Sequence, residues 1–341
     1  MKSHRIIVPT KLRLTSSIGF AKRLQSLPNA EEYEFDFQGL NWMEPFAMLY
    51  LSNEIRKCKS QHKASCFCAR GFQNRTYEAH MGFFQAFGLD FGKRPGEAKG
   101  SDTYLPVTFL EVNQLEEEAA AEDIKVIGEI IEKRSHKLAE VLTQQSGGAL
   151  VDTLAYSLRE VIRNVVEHSE SAKFGYCAQY WPADQRVEIA ILDTGIGMRQ
   201  TISENPYLQV NNDRDALNLS LMPGVSGKTY KGKRKNPYDA WASSGYGLYV
   251  TSRLCSSEGS FFICSGDTGL LLEGSKRQYL ETNFRGTVLR LVLRTDRIKE
   301  LGRSLRRILK EGDAIAKQFN NEEYLTASLT SRVLSRDFEE S

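Results

Sequence analysis

The sequence predicts an α/β chain of more than one domain, and three observations carry that expectation. Over residues 1–112, short apolar strands alternate with helical patterns. An amphipathic helix at residues 151–168 then leads to an alternating strand ending in Asp193-Thr-Gly-Ile-Gly197, and a last alternating strand follows at residues 284–293. Switching between periods of 3.6 and 2 is what helices layered on a sheet require. With 341 residues and 41% hydrophobic content, the chain exceeds one average domain and has ample material for packed cores.

The first domain, 1–112, opens on an apolar segment at 5–8 and a helical pattern at 16–27, followed by Tyr33-Glu-Phe-Asp-Phe37 as a strand. A helix at 45–55 carries Phe46, Leu49, Leu51 and Ile55, and a strand at 66–69 precedes a helix at 77–87 that ends in Gly88. Cys58, His62, Cys66 and Cys68 fall in a short span, but their spacing matches no common zinc pattern. Ser65-Cys-Phe-Cys-Ala69 reads instead as a buried strand in which cysteine acts as a small hydrophobe. The six scattered cysteines fit reduced thiols. Residues 115–142, rich in Glu, Ala, Lys and Ile, predict a connecting helix within a 113–146 linker, able to pair with another copy. His136 reads as a surface residue of that helix.

In the second domain, 147–295, Val151, Leu154, Ala155, Leu158, Ile162, Val165 and Val166 form one apolar helical stripe, and Glu160 and Asn164 fall on the other face. Residues four apart on a helix are neighbours, so a carboxylate and a carboxamide there can aim at one point. Asn164 offers a neutral oxygen to Mg²⁺, which keeps most of its waters and is shared with phosphates. Glu160 can accept a proton from an attacking water or hydroxyl. The plain alternative is a solvated helix face. The strand at 186–192 alternates Val187, Ile189 and Ile191 with Glu188 and Ala190 and runs into Asp193 and two glycines, a tight turn with room for a ligand. A buried Asp there can accept from an exocyclic amine. Downstream, Ser244-Gly-Tyr-Gly-Leu248 places glycines before an apolar helical pattern at Leu248, Thr251 and Leu254. Helix N-termini favour phosphates. In the last strand Thr287 is placed to contact the ligand side.

In this order the motifs resemble the GHKL superfamily, the ATP-binding fold of gyrase, chaperone ATPases, histidine kinases and MutL-type repair proteins. The Glu-x-x-x-Asn-x-x-x-His spacing from Glu160 to His168 is closest to anti-sigma serine kinases and sensor kinases. The resemblance implies a mixed sheet covered by helices on one face, with ATP and Mg²⁺ as ligands. Glu160 then resembles the general base, Asn164 the Mg²⁺ ligand and Asp193 the adenine-reading acid. Gly195 and Gly197 resemble residues lining the base pocket, and Gly245, Tyr246, Gly247 and Leu248 the phosphate-binding turn. Gly224-Val-Ser-Gly-Lys228 resembles the start of a mobile ATP lid, which Lys231, Lys233, Arg234 and Lys235 make basic. Upstream, Asp36-Phe-Gln-Gly-Leu40 with Met43-Glu-Pro-Phe46 resembles a STAS domain. The serine that accepts phosphate in that family is absent, its neighbourhood reading Glu44-Pro45-Phe46. A recognition or docking domain is the implied role.

A net charge of +2 advertises neither nucleic acid nor an anionic membrane. Without a membrane-length apolar run or a signal-peptide core, the expectation is a cytoplasmic protein. In the 296–341 segment, Ile298, Leu301, Leu305, Ile308 and Leu309 share a stripe, predicting a helix docked on this or another subunit before a polar tail. Two functions stand open. One is an enzyme that hydrolyses ATP or passes its γ-phosphate to a protein partner. The other is a nucleotide-gated interaction module, in bacterial signalling or defence by analogy.

Overall fold

The computed structural model describes residues 2–121, 127–227, 246–297 and 301–319. The chain divides into two compact units: one of residues 1–109, 175–179 and 188–192, the other of 110–174, 180–187 and 193–341. Both mix helices with strands. Among the described residues no helix is long and apolar enough to cross a membrane.

In the first unit, β1 (Ser3–Ile7), β3 (Glu32–Asp36) and β5 (Cys66–Arg70) form a parallel sheet in that order, joined through α1 (Leu14–Gln25) and α2 (Pro45–Gln61). A short parallel pair, β2 (Lys11–Leu12) and β4 (Trp42–Met43), precedes each helix. The alternation expected from sequence is therefore present. Side chains alternate across a strand, so Tyr33, Phe35 and Phe67 share a face, with Phe67 stacked on Tyr33 at 5.2 Å. That same alternation corrects one expectation: Cys66 and Cys68 are exposed rather than buried, because they point the other way from Phe67 on the last strand of this sheet. Cys58 lies in the core, and His62 Nδ1 shares a hydrogen bond with the Tyr33 hydroxyl at 3.0 Å.

The helix expected at 77–87 is broken into α3 (Thr76–His80) and α4 (Phe83–Ala86). Gly82 adopts φ 83° between them, with the backbone of Arg94 and Pro95 3.3 Å from where a Cβ would stand. The break turns Phe83, Phe84 and Phe87 onto Phe37.

At the start of α2 the N-cap Glu44 makes no side-chain cap bond. The Phe46 N–H instead donates to the carboxylate of Glu188, a fully buried residue far along the chain, at 3.1 Å. A carboxylate suits the positive end of a helix. Glu188→Ala leaves that N–H unpaired and is expected to cost about 1–3 kcal/mol. Glu188→Gln, which keeps an acceptor, should lose less, both read as shifts in the urea midpoint.

The second unit starts with α5 (Val112–Ala121), α6 (Ile127–Thr143) and α7 (Ala149–His168). α5 packs on α6, and α6 packs along α7 with Ile130, Ile131, Ala139 and Leu142 buried. Within 115–142, read from sequence as a connecting helix, the described residues are helical, and the apolar stripe of α6 packs within the same unit. Residues 122–126 of that segment lie outside the described residues. Of the five-stranded sheet, in the order β6-β7-β8-β10-β9, β9 (Gly259–Glu273) and β10 (Lys276–Arg294) fall wholly within this unit, whereas the residues of β6 (Tyr104–Glu111), β7 (Lys173–Trp181) and β8 (Arg186–Asp193) are divided between the two units. β9 and β10 form a long antiparallel hairpin. Sequence reading found only the second half of β10. The run Ser260-Phe-Phe-Ile-Cys264 was the available signal for its partner. Between the strands lie α8 (Gly197–Ser203), α9 (Asp213–Ser220) and α10 (Gly247–Glu258), and α11 (Leu301–Phe319) closes the described chain.

Candidate functional site

The second unit holds a recess of about 60 Å³, or about 700 Å³ when the open space at its mouth is counted. Its walls come from α7, the end of β8, α8, residues 220–227, the start of α10 and β10. Val161, Val165, Met198, Ile202, Val225 and Leu289 make it largely apolar. Among the described residues lining it, Asp193 is the one ionisable group.

Asp193 is 2% exposed at the last position of β8. Its Oδ1 accepts from the Gly195 N–H at 2.9 Å, and the backbone and hydroxyl of Thr287 also donate to the carboxylate. Burial nevertheless wins over these bonds and pushes the carboxyl up from 3.8 to about 6. A carboxylate has about four acceptor positions. Three are taken by the protein, leaving one for a ligand N–H.

The two glycines after Asp193 serve different ends. Gly197 lines the recess at φ 79°, and the Met198 N–H that follows donates to Ser265 Oγ at 2.9 Å, which in turn donates to the Gly286 carbonyl at 2.7 Å. Gly195 lets the chain press on the end of α7: a Cβ there would stand 1.8 Å from the Ser169 carbonyl oxygen. The Ile196 N–H donates to that same oxygen at 2.9 Å.

On α7 the apolar stripe is buried as its periodicity requires, and Asn164 lines the recess. Glu160 is not part of a solvated face. It is 6% exposed, its Oε1 accepts from Arg159 at 3.2 Å, and Arg163 lies 3.9 Å away. Its Oε2 sits 2.1 Å from where a Cβ of Gly247 would be, so the glycine makes room for it at the start of α10. Gly247, Leu248 and Thr287 line the recess with Asn164 and Asp193. Gly224 and Tyr246 flank it: Gly224 has φ 77°, and the Tyr246 hydroxyl donates to Asp313 of α11 at 2.9 Å. Lys228, Gly245 and the basic run 231–235 lie outside the described residues.

Sequence reading missed the α8 wall, Met198, Thr201 and Ile202, whereas Val225-Ser226-Gly227, which also line the recess, lie in the segment read as the start of a lid. Short helices carry little periodic signal, and only the packing of Ile202 with Leu219, Met222 and Val225 shows them to be one wall. Gly227 carries a second close approach, a Cβ there falling 1.9 Å from the Thr201 carbonyl.

The fold and recess together define a class only at the level of a mixed α/β chain with a largely apolar recess that carries a single carboxylate among its described lining residues. Comparison with protein-family models, curated proteins and solved structures finds no match to the chain.

Proposed function

We propose that the chain is a Mg-ATP-binding regulatory protein of the GHKL type that hydrolyses ATP or transfers its γ-phosphate to a protein partner. The observation that carries this reading is the buried Asp193, with one acceptor position left, facing an apolar recess. A flat purine suits the apolar walls, and its exocyclic amine suits the remaining acceptor. The ligand's phosphates are placed toward Gly247 and Leu248, where the first turn of α10 offers N–H groups.

Mg²⁺ fits the donor set in one way. Among the described residues no group of three or more His, Cys, Asp or Glu is arranged to hold a metal. Asn164 supplies one neutral oxygen at the recess, which suits an ion carried in by phosphates and otherwise hydrated. Bound there, Mg²⁺ would neutralise phosphate charge. Glu160, adjacent to Gly247, is assigned the role of taking a proton from a nucleophile.

Incubating purified protein with γ-labelled ATP and Mg²⁺, while following phosphate, labelled protein and bound nucleotide, tests the reading. Glu160→Ala is expected to abolish turnover and leave nucleotide affinity within about threefold; turnover equal to the unmodified chain excludes Glu160 as the base.

The second reading, a nucleotide-gated interaction module without turnover, draws on the same residue. Glu160 is held by Arg159 and does not line the recess. Binding without phosphate release or labelling is its signature. The first unit is assigned as a STAS-like recognition domain for a protein partner. Support comes from its strand–helix alternation; the missing acceptor serine at the start of α2, where Glu188 accepts from the Phe46 N–H, departs from that family and favours docking over phosphorylation. A homodimer and a cytoplasmic location complete the reading.

A further inference from the structure

The last helix of the described chain touches two separate walls of the recess. Ile315 of α11 packs on the cluster of Ile202, Leu219, Met222 and Val225, two of which line the recess directly. Ala316 lies 3.6 Å from where a Cβ of Gly224 would stand. One turn earlier, Asp313 accepts the Tyr246 hydroxyl at 2.9 Å, immediately before the Gly247 and Leu248 that line the recess. Gly312 allows this close seating: a Cβ there would fall 2.7 Å from Tyr249, 3.2 Å from Tyr246 and 3.3 Å from Pro223. Ile308 is 3% exposed, and Glu311 lies 3.7 Å from Arg253 of α10. The contacts thus run along one face of α11, from α10 to the 223–225 segment.

Such a helix fixes the spacing between the apolar wall and the turn that starts α10. We propose that α11 is a positioning element for the phosphate end of the site, with Asp313 setting Tyr246 and, through it, the Gly247-Leu248 backbone that a nucleotide's phosphates would meet. This rests on the nucleotide reading given above and deepens it by assigning control of that site to a helix outside every motif of the second domain. By linkage, whatever favours docking of α11 also favours the phosphate-bound form, and phosphates in turn favour the docked helix. The purine end is held by β8 and β10 and has no part in the Asp313 contact.

The test is calorimetric titration of the full chain with Mg-ATP and, separately, with adenosine. Asp313 is exposed, so its replacement leaves the core intact. Asp313→Ala is expected to weaken ATP binding about three- to tenfold, the loss of one hydrogen bond's net contribution, and to leave adenosine within about twofold. Asp313→Asn, which keeps an acceptor, should restore ATP binding. Tyr246→Phe combined with Asp313→Ala should lose no more than either change alone. ATP affinity unaffected by Asp313→Ala, or ATP and adenosine weakened alike, overturns the positioning role while the nucleotide reading stands. An unmodified chain that binds neither ligand overturns the nucleotide reading and this role with it.

Discussion

Asp193→Asn is expected to abolish adenine-nucleotide binding and, at the same time, to remove a pH dependence from the stability of the protein. The binding loss follows from acceptor positions. The Gly195 N–H and the two Thr287 donors occupy three of the carboxylate's four, whereas an amide oxygen has only two. It cannot serve those donors and a purine amine together, and the amide N–H₂ would face the ligand's own donor. The pH dependence follows from burial. Moving a carboxyl from 3.8 to about 6 penalises its ionised form by about 3 kcal/mol in the folded state.

The sign is set by the direction of that shift. Because the folded-state pKa is raised, the Asp193 contribution to stability is fully present below about 3.8, is lost as pH rises to about 6, and is flat above that. The Asn variant lacks this component, so its stability relative to the unmodified chain should rise from pH 4 to pH 6 and then level off. Chemical denaturation at several pH values reads this directly. Nucleotide affinity of the unmodified chain should move the opposite way, strengthening as pH rises through about 6 and the carboxyl ionises. Unaltered affinity in Asp193→Asn removes the purine-reading role and with it the GHKL assignment.

Gly195→Ala is expected to cost about 3 kcal/mol or more, through the fold and not through the ligand. The added Cβ would stand 1.8 Å from the Ser169 oxygen and 2.7 Å from its carbonyl carbon, both backbone atoms that cannot swing aside. The Ile196 N–H bond to that oxygen would be displaced with them. Gly19→Ala is the matched control: Gly19 lies inside α1 with nothing within 4 Å, and the change should gain about 0.5–1 kcal/mol from helix propensity. A lowered denaturation midpoint for the first and a raised one for the second are the expected results. A Gly195→Ala protein as stable as the unmodified chain contradicts the close approach.

The alternation of strands and helices in the first unit, the stripe of α7, the strand into Asp193 and the helix after Gly247 were all legible as sequence, because each depends on local periodicity and on glycine's tolerance of tight turns. So was the grouping of Asn164, Asp193, Gly197, Gly247, Leu248 and Thr287, which the structure brings to one recess. What periodicity cannot encode is which surface an element meets. Only tertiary packing decided that Glu160 is buried against Gly247, that Gly195 makes way for a carbonyl, and that Cys66 and Cys68 face outward. It alone paired α6 with α7, placed Glu188 at the start of α2 and laid α11 across two walls of the recess. Each of these rests on a contact between residues distant in the chain, set by burial and steric fit and leaving no mark in the local pattern of the sequence.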